Sequence, residues 1–207
     1  MPDEIDDGTG PAGSARGARR RDQLVRAGLE LLAERGWSGL TARAVAERAG
    51  THQGLVHYHF GGLPSLKRAV AETAVLEVFE PAVAALTAET SWPAGVAAVL
   101  RTTAQPEEPR AARITAELVV ASLQDPEVGE LVRSALADAR ARLVPWLSAT
   151  GEAEPQGLAT LLLAALDGLV LHRLLDPALA LDDVAAAAEA LAAAASPSPS
   201  ADPGTRP

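Results

Sequence analysis

Cysteine is absent from this 207-residue sequence, and aromatic residues make up only 3% of it. The lack of cysteine excludes disulfide bonds and thiolate metal sites, and it is compatible with a reducing compartment. Alternating runs of β-branched or aromatic residues are also missing, which argues against β-strands. We find neither a signal-peptide pattern nor a long apolar stretch free of charge and proline, so no membrane span is expected. These absences together favour an all-helical protein.

Apolar residues nevertheless account for 48% of the chain, and most of them are alanine and leucine. Both residue types have high helix propensity, and their number is sufficient for a hydrophobic core. The length corresponds to one or two domains.

Charge is distributed unevenly along the chain, whose formal net charge is −9. Residues 1–10 hold four acids and no base, and residues 71–207 hold nineteen acids and eight bases, a net charge of −11. Residues 11–70 hold ten bases and four acids, a net charge of +6. A basic segment of this kind suits contact with nucleic acid. The alternative is a solvated basic face that has no partner.

The segment that begins at Thr41 has the pattern of two short helices joined by a tight turn. Thr41 is a good N-cap, and helix-forming residues follow as far as Arg48. Gly50 suits the left-handed position after a helix, and Thr51 is the expected cap of a second helix over 52–58. Three of the four histidines of the chain, His52, His57 and His59, lie in this helix or directly after it. Such a pair of helices is typical of a helix-turn-helix that enters a DNA major groove.

Several short motifs carry a resemblance to a known family: Gly36-Trp37, Leu40-Thr41, Val45-Ala46, Ala49-Gly50 and Gly54-Leu55-Val56-His57-Tyr58-His59-Phe60. In residue type and spacing the sequence resembles TetR-family transcriptional regulators over about residues 19–70. The resemblance implies an all-α fold of about nine helices, with an N-terminal three-helix helix-turn-helix head and a C-terminal helical bundle. It also implies a homodimer that binds DNA and responds to a ligand.

The two short helices supply the candidates for reading DNA bases. Arg43, at a position that often reaches a base in the family, suits the edge of guanine, and Gln53 suits adenine. Leu55 is expected at a thymine methyl group, and Tyr58 and His59 resemble the phosphate-contacting pair of the family. The full set of expected DNA contacts is Thr41, Arg43, His52, Gln53, Gly54, Leu55, His57, Tyr58, His59 and Lys67.

A group of arginines before the head is a further candidate for the phosphate backbone or the minor groove: Arg16, Arg19, Arg20 and Arg21. One position departs from the family pattern. Leu63 stands where the family usually has a basic residue that contacts a phosphate at the start of helix 4. The candidates for replacing that contact are Lys67 and Arg68, one turn later.

Periodicity predicts which side chains of the head face inward. The first helix has one apolar stripe, formed by Leu24, Ala27, Gly28, Leu31 and Leu32. Trp37 and Leu40 are expected to fill the head, together with Val45, Ala46, Val56 and Phe60.

Turn and proline signals divide the rest of the chain into further helices. The predicted helices cover 19–35, 63–89, 94–104, 109–124, 127–149, 156–175 and 181–195, with bends near Pro81 and Pro145. Over 109–124 the inward residues are expected to be Ile114, Leu118, Val119 and Leu123. The predicted domains are a disordered arm with a basic end (1–18), the DNA-binding head (19–62), an effector-binding and dimerisation domain (63–195) and a disordered tail (196–207).

The helices of the predicted body resemble the effector-binding core of the family, where apolar side chains line a ligand site. The candidates are Phe79, Trp92, Leu100, Ile114, Leu118, Val119, Leu143 and Trp146, with Arg113, Glu117 and His172 as polar anchors. Taken singly, each apolar candidate fits a place in an ordinary core better than a ligand site, and only the group as a whole indicates a pocket. The spacing of His52, His57 and His59 does not suit a metal site, and no cofactor is predicted.

The last two predicted helices are almost wholly apolar, and they resemble the dimer interface of the family, a four-helix bundle built from two chains. The alternative is a core within one chain. We therefore predict a cytoplasmic, nucleoid-associated repressor that binds a palindromic operator as a dimer and is released by a small apolar effector. The first alternative is a constitutive helix-turn-helix protein whose body only dimerises. An all-α enzyme is disfavoured, since no nucleophile and base are recognisable, and a module that binds a foreign protein is the third alternative.

Overall fold

The computed structural model describes residues 11–103 and 110–195, and all regular structure in these ranges is helical. This confirms the predicted all-α class. The helices are α1 (Pro11–Arg35), α2 (Ala42–Arg48), α3 (Gly54–Phe60), α4 (Leu63–Thr87), α5 (Trp92–Thr103), α6 (Arg110–Gln124), α7 (Pro126–Ala149), α8 (Pro155–Leu175) and α9 (Leu181–Ala195), with a 3-10 turn at Trp37–Gly39.

Helix α1 is longer than predicted, since it begins at Pro11 and not at residue 19. The prediction of disorder over 1–18 is therefore wrong for residues 11–18, where proline stands in a first helical turn that needs no N–H donor. Residues 1–10 and the predicted tail 196–207 lie outside the described residues. The two prolines at which bends were expected lie inside helices, since α4 continues past Pro81 and α7 continues past Pro145.

The chain divides into two compact units, and the boundaries fall within helices. The first unit contains the described residues up to Phe79 and those of 110–136, and the second contains 80–103 and 137–195. Helix α6 thus belongs to the same unit as the helix-turn-helix, and it packs against α1 and the 3-10 turn. The predicted division into a head and a body at residue 62 stays a prediction.

The core of the first unit is built by the apolar stripe of α1. All five predicted members of that stripe are buried, and so are Trp37 and Leu40. Helix α6 adds Ile114 and Leu118 to the same cluster of buried side chains. The inward residues of α1, α2 and α3 were therefore predicted correctly.

The orientation of α6 was predicted only in part. Ile114 and Leu118 are buried, as expected, but Val119 and Leu123 are exposed to 44% and 84%. The other two residues of the helix that are buried are Thr115 and Ala121. The error arises because apolar residues occupy more than one face of this helix, so the pattern does not show which face packs against α1.

The second unit is held by contacts between α5 and α9 and by buried leucines of α7. Leu143 and Leu147 are fully buried. The indole N–H of Trp146 donates a hydrogen bond of 2.9 Å to the backbone carbonyl of Glu89, which joins α7 to the turn that follows α4.

Helix α8 is apolar around most of its circumference, and Leu161 and Leu175 on it are exposed to 65% and 83%. By length and composition alone it is the one described helix that is able to span a membrane. A single helix of this kind is weak evidence for a membrane, because a helix that packs against a partner has the same composition.

Candidate nucleic-acid interface

Helix α2 begins where the sequence predicted. The Thr41 hydroxyl oxygen accepts a hydrogen bond of 3.1 Å from the backbone N–H of Ala44, so Thr41 is the N-cap. Val45 and Ala46 point into the core, which leaves Arg43 exposed on the outer face of the helix. The fold therefore presents the Arg43 guanidinium to solvent at the first turn of α2.

The turn between the two helices differs from the prediction at its second half. Gly50 has the expected left-handed conformation, with a φ of 61°. However, Thr51 does not cap α3, because the helix begins only at Gly54; the backbone N–H of Thr51 donates a hydrogen bond of 2.8 Å to the carbonyl of Ala46. The N-cap is Gln53, and its side chain makes no capping hydrogen bond.

Helix α3 therefore covers 54–60 rather than 52–58, and His52 lies in the turn before it. Val56 and Phe60 are buried against α1 and α2. Gly61 ends the helix in a left-handed conformation (φ 73°), where its N–H donates to the carbonyl of His57.

The polar side chains of α2 and α3 form one exposed surface. Tyr58 is exposed to 79%, and its ring contacts that of His59 edge to face at a centroid distance of 4.9 Å. Of the other expected DNA contacts in this segment, only Leu55 and His59 are half-buried; Thr41, Arg43, His52, Gln53, Gly54 and His57 are exposed.

An open cleft of about 790 Å³ lies between the two helices and the start of α4. Donors from both helices border it, so groups far apart in the sequence converge on one concave surface. The lining residues are Thr41, Ala42, Arg43, Gln53, Gly54, Val56, His57, Gly62 and Leu63.

Both candidates for replacing the missing basic residue at position 63 have partners within the protein. The Lys67 ammonium lies 4.8 Å from the centroid of the Trp37 ring, a cation–π contact, and burial lowers the pKa of this ammonium. The Arg68 guanidinium pairs with Glu72 at 3.0 Å and with Glu127 at 3.5 Å. To contact DNA, either side chain would have to leave these partners, so the expected compensation stays a prediction.

Two arginine contacts that were not predicted from the sequence join α2 and α3 to α1. The Arg21 guanidinium of α1 lies 4.7 Å from the centroid of the Phe60 ring, at the end of α3. Arg48, at the end of α2, pairs with Glu30 and Glu34 of α1, and its hydrogen bond lowers the pKa of the Glu34 carboxyl. The exposed salt bridges of Arg48 contribute little to stability, but together with the Arg21 contact they join both short helices to α1.

The predicted ligand-binding residues are distributed over the two units. Phe79, Arg113, Ile114, Glu117 and Leu118 belong to the first, and Trp92, Leu100, Leu143, Trp146 and His172 belong to the second. Arg113 and His172 are exposed, and the Glu117 carboxylate accepts a hydrogen bond from the backbone of Trp37. Among the residues that the structure describes, no group of His, Asp or Glu side chains is placed to hold a metal ion.

Comparison with known proteins identifies the family. The model for bacterial regulatory proteins of the tetR family matches residues 24–63, and that for the tetracyclin repressor-like C-terminal domain matches residues 87–197. Among curated protein sequences, none matches this chain.

Solved structures support the same assignment. A transcriptional regulator from Rhodococcus sp. Rha1 is 28% identical, with 82% of this chain and 92% of that chain covered and a TM-score of 0.65. A TetR-family member from Streptomyces coelicolor A3 is 25% identical, with 83% and 97% covered and a TM-score of 0.65. EbrR, described as a multidrug binding protein complexed with imidazole, is 24% identical, with 83% and 94% covered and a TM-score of 0.61; at this identity it supports the fold alone.

The two family models agree with the helices described above: the first match contains the helix-turn-helix, and the second contains α5 to α9. Regulators of this family bind DNA and are not enzymes, which removes the enzymatic alternative. The chain therefore belongs to the tetR family of bacterial regulatory proteins, as a transcriptional regulator with a DNA-binding head and a ligand-binding C-terminal domain.

Proposed function

We propose that the protein is a repressor that binds a near-palindromic operator as a homodimer and is released by a small apolar effector. The observation that carries the proposal is the single exposed surface formed by α2 and α3, with Arg43, Gln53 and His57 around one cleft. In a dimer, two copies of α3 would enter successive major grooves, about 34–36 Å apart along the duplex. The match to the tetracyclin repressor-like model supports repression as the direction of control.

Each exposed side chain has a role that follows from its chemistry. Arg43 would donate two hydrogen bonds to guanine, and Gln53 would pair with adenine in the same bidentate manner. Leu55 would contact a thymine methyl group, and His57 a base edge or the backbone. The phosphate contacts would come from Thr41, Tyr58, His59 and His52. Lys67 is left out, because its ammonium lies over Trp37.

The first turns of α1 supply additional positive charge. Arg16, Arg19 and Arg20 are exposed on the helical extension that precedes the core of the head. We place them along the phosphate backbone beside the half-site, where they would add to affinity without adding to base specificity.

The dimer would form through α8 and α9. Only 22% of the most apolar window of α8 is buried within the chain, and Leu191 on α9 is exposed to 66%. Exposed apolar surface of this kind is stabilised when a second copy covers it, and a two-fold dimer of two helices per chain gives a four-helix bundle.

The effector would bind among apolar side chains of the C-terminal domain. It would shift the protein towards a state in which the two heads are wrongly spaced for the operator. Such a ligand acts only through its difference in affinity for the two states, typically ~1–3 kcal/mol. A regulator of this type works in the cytoplasm, at the nucleoid.

The test is selection of bound fragments from the source genome by the purified protein at near-physiological salt. Recovery of a short inverted repeat would establish the operator, and its sequence would provide the ligand for all further DNA measurements. Binding without sequence preference that vanishes as salt rises would contradict the proposal, because only phosphate attraction would remain. Compounds that raise the Tm of the protein are then tested for release of the bound fragment. If none of them releases it, the constitutive DNA binder is favoured instead.

A further inference from the structure

Trp37, in the 3-10 turn between α1 and α2, is held by side chains from two other helices. Its backbone N–H donates a hydrogen bond of 2.8 Å to the Glu117 carboxylate of α6, across 80 positions of sequence. The Lys67 ammonium of α4 lies against its ring. The Trp37 side chain itself is 6% exposed, within the core of the first unit. One residue of the head is thus fixed through both its backbone and its ring.

The position of the Glu117 carboxylate depends on the glycine that precedes Trp37. Gly36 has a φ of 71°, which residues with a side chain rarely adopt. A Cβ atom at this position would lie 2.6 Å from Glu117 Oε2, closer than van der Waals contact allows. Gly36 therefore leaves the space that the carboxylate occupies, and the hydrogen bond depends on both residues.

The 3-10 turn leads directly into the DNA-reading helices. Gly39 is the last residue of the turn, Leu40 is buried, and Thr41 is the N-cap of α2. Arg43 follows within the first turn of that helix. Because so few residues separate the Trp37 amide from Arg43, a shift of the turn is transmitted to the start of α2.

We propose that Glu117 is a positioning residue for DNA recognition: from α6 it fixes the Trp37 amide and thereby the start of α2. The proposal rests on the proposed function, and it replaces the expectation that Glu117 anchors a ligand. Glu117 lies within the sequence matched by the C-terminal domain model, residues 87–197. Its hydrogen bond therefore joins the ligand-binding part of the chain directly to the DNA-reading part.

The experiment compares Glu117→Ala, Glu117→Gln and the control Glu130→Ala in the full-length protein. Gln retains an oxygen that accepts the Trp37 hydrogen bond, whereas Ala removes it. Glu130 is an exposed glutamate of α7 that pairs with Arg133 three residues along, so its replacement removes the same charge at a position away from Trp37. Two quantities are measured: hydrogen exchange of the Trp37 amide, and affinity for the selected operator relative to a scrambled duplex.

Glu117→Ala should speed exchange of the Trp37 amide by about tenfold, the effect of losing one hydrogen bond to a charged acceptor. The same variant should bind the operator about tenfold more weakly, with binding to the scrambled duplex changed by less than about twofold. Glu130→Ala should behave like the unchanged protein in both measurements, and Glu117→Gln, which keeps a neutral acceptor, should lie between the unchanged protein and Glu117→Ala.

Any departure from this pattern overturns the proposal. Unchanged exchange in Glu117→Ala, or faster exchange with unchanged operator affinity, shows that Glu117 does not position α2. Equal losses in Glu117→Gln and Glu117→Ala show that the hydrogen-bond acceptor is not what matters. If Glu117→Ala does not fold, Gly36→Ala provides the second variant, since its Cβ would displace the carboxylate; unchanged exchange at Trp37 in that variant overturns the proposal as well.

Failure of the regulator proposal has a different signature. In that case the unchanged protein itself shows no sequence preference in the fragment selection. Failure of the Glu117 proposal appears only in the comparison of variants, with an operator already in hand.

Discussion

The Gln23 side-chain amide donates a hydrogen bond of 2.8 Å to the backbone carbonyl of Ala49, which lies 26 positions later at the end of α2. Gln23 also accepts a hydrogen bond of 2.8 Å from Arg20, so its amide group is held on both sides. The contact connects α1 to the turn of the helix-turn-helix. It fixes that turn at the point where the chain changes direction towards α3.

Loss of this contact should destabilise the head. Gln23→Ala leaves the Ala49 carbonyl without its side-chain donor, which costs about 1 kcal/mol, or about 2–4 °C in Tm for a chain of this size. Thermal unfolding followed by circular dichroism measures the change. The matched control is Gln156→Ala, an exposed glutamine of α8, which should leave Tm nearly unchanged. Equal Tm values for the two variants would show that the hydrogen bond contributes nothing.

Arg43 should determine the preference at one operator position. Arg43→Ala removes the bidentate donor, so affinity for the selected operator should fall by about 1–3 kcal/mol and discrimination at one base pair should relax. Competition binding against a set of single-base operator variants measures both effects. Arg133→Ala, which removes an exposed arginine of α7, should retain affinity and preference. An unchanged base preference in Arg43→Ala would contradict the proposed role.

Leu63 offers a gain-of-function test, because it lines the cleft where the family usually has a basic residue. Leu63→Lys should restore one phosphate contact per chain, hence two per dimer, and make the slope of log K against log salt steeper by about 1.8. The lysine stem can cover the apolar surface that Leu63 covers now. Leu123→Lys adds the same charge at an exposed position of α6 and should leave the slope unchanged. Equal slopes in the two variants would mean that position 63 does not face a phosphate.

The dimer proposal predicts that a charge on α8 separates the two chains. Leu161→Glu would place a carboxylate in the apolar surface between two copies, so the variant should sediment as a monomer at micromolar concentration. Leu123→Glu puts the same change on a more exposed leucine outside α8 and α9, and it should remain dimeric. Sedimentation equilibrium distinguishes the two. A dimeric Leu161→Glu variant would count against α8 as the interface.

Asp167 of α8 should make stability dependent on pH, since burial raises the pKa of its carboxyl. A raised pKa means that folding disfavours the ionised form. The cost is absent below the unfolded pKa of about 4, grows as pH rises through the folded pKa, and is complete above it.

Asp167→Asn should therefore raise Tm at pH 7 by roughly 1–3 °C, and the gain should disappear below about pH 4. Asp138→Asn, at an exposed position of α7, should show no such trend. Tm measured from acid to neutral pH tests this, and a loss of stability in Asp167→Asn at pH 7 would refute it.

The parts of the fold that depend on local pattern were predictable. The stripe of α1 from Leu24 to Leu32 and the N-cap at Thr41 follow from helical spacing and from the chemistry of a hydroxyl near free N–H groups. Where two apolar faces compete, as on α6, the pattern is insufficient, and Val119 and Leu123 were wrongly placed in the core.

Contacts between distant positions carried no signal in a single sequence. The hydrogen bond from Trp37 to Glu117 joins an ordinary backbone N–H to one of many glutamates, and its partners are brought together only by packing of α6 on α1. The start of α3 was missed for a related reason. The Thr51 amide bonds to Ala46, a choice that depends on the path of the turn and not on the propensity of threonine.

The buried and the exposed side chains of α3 have separate roles, so the exposed ones can be exchanged while the buried ones are kept. Val56 and Phe60 are the buried side chains of the helix, and Gly61 ends it, while Gln53 at its N-cap, His57 and Tyr58 face outward. A library randomised at the three outward positions would therefore sample new target sequences on an unchanged scaffold. In an evolving lineage the same separation lets operator preference drift without any loss of stability.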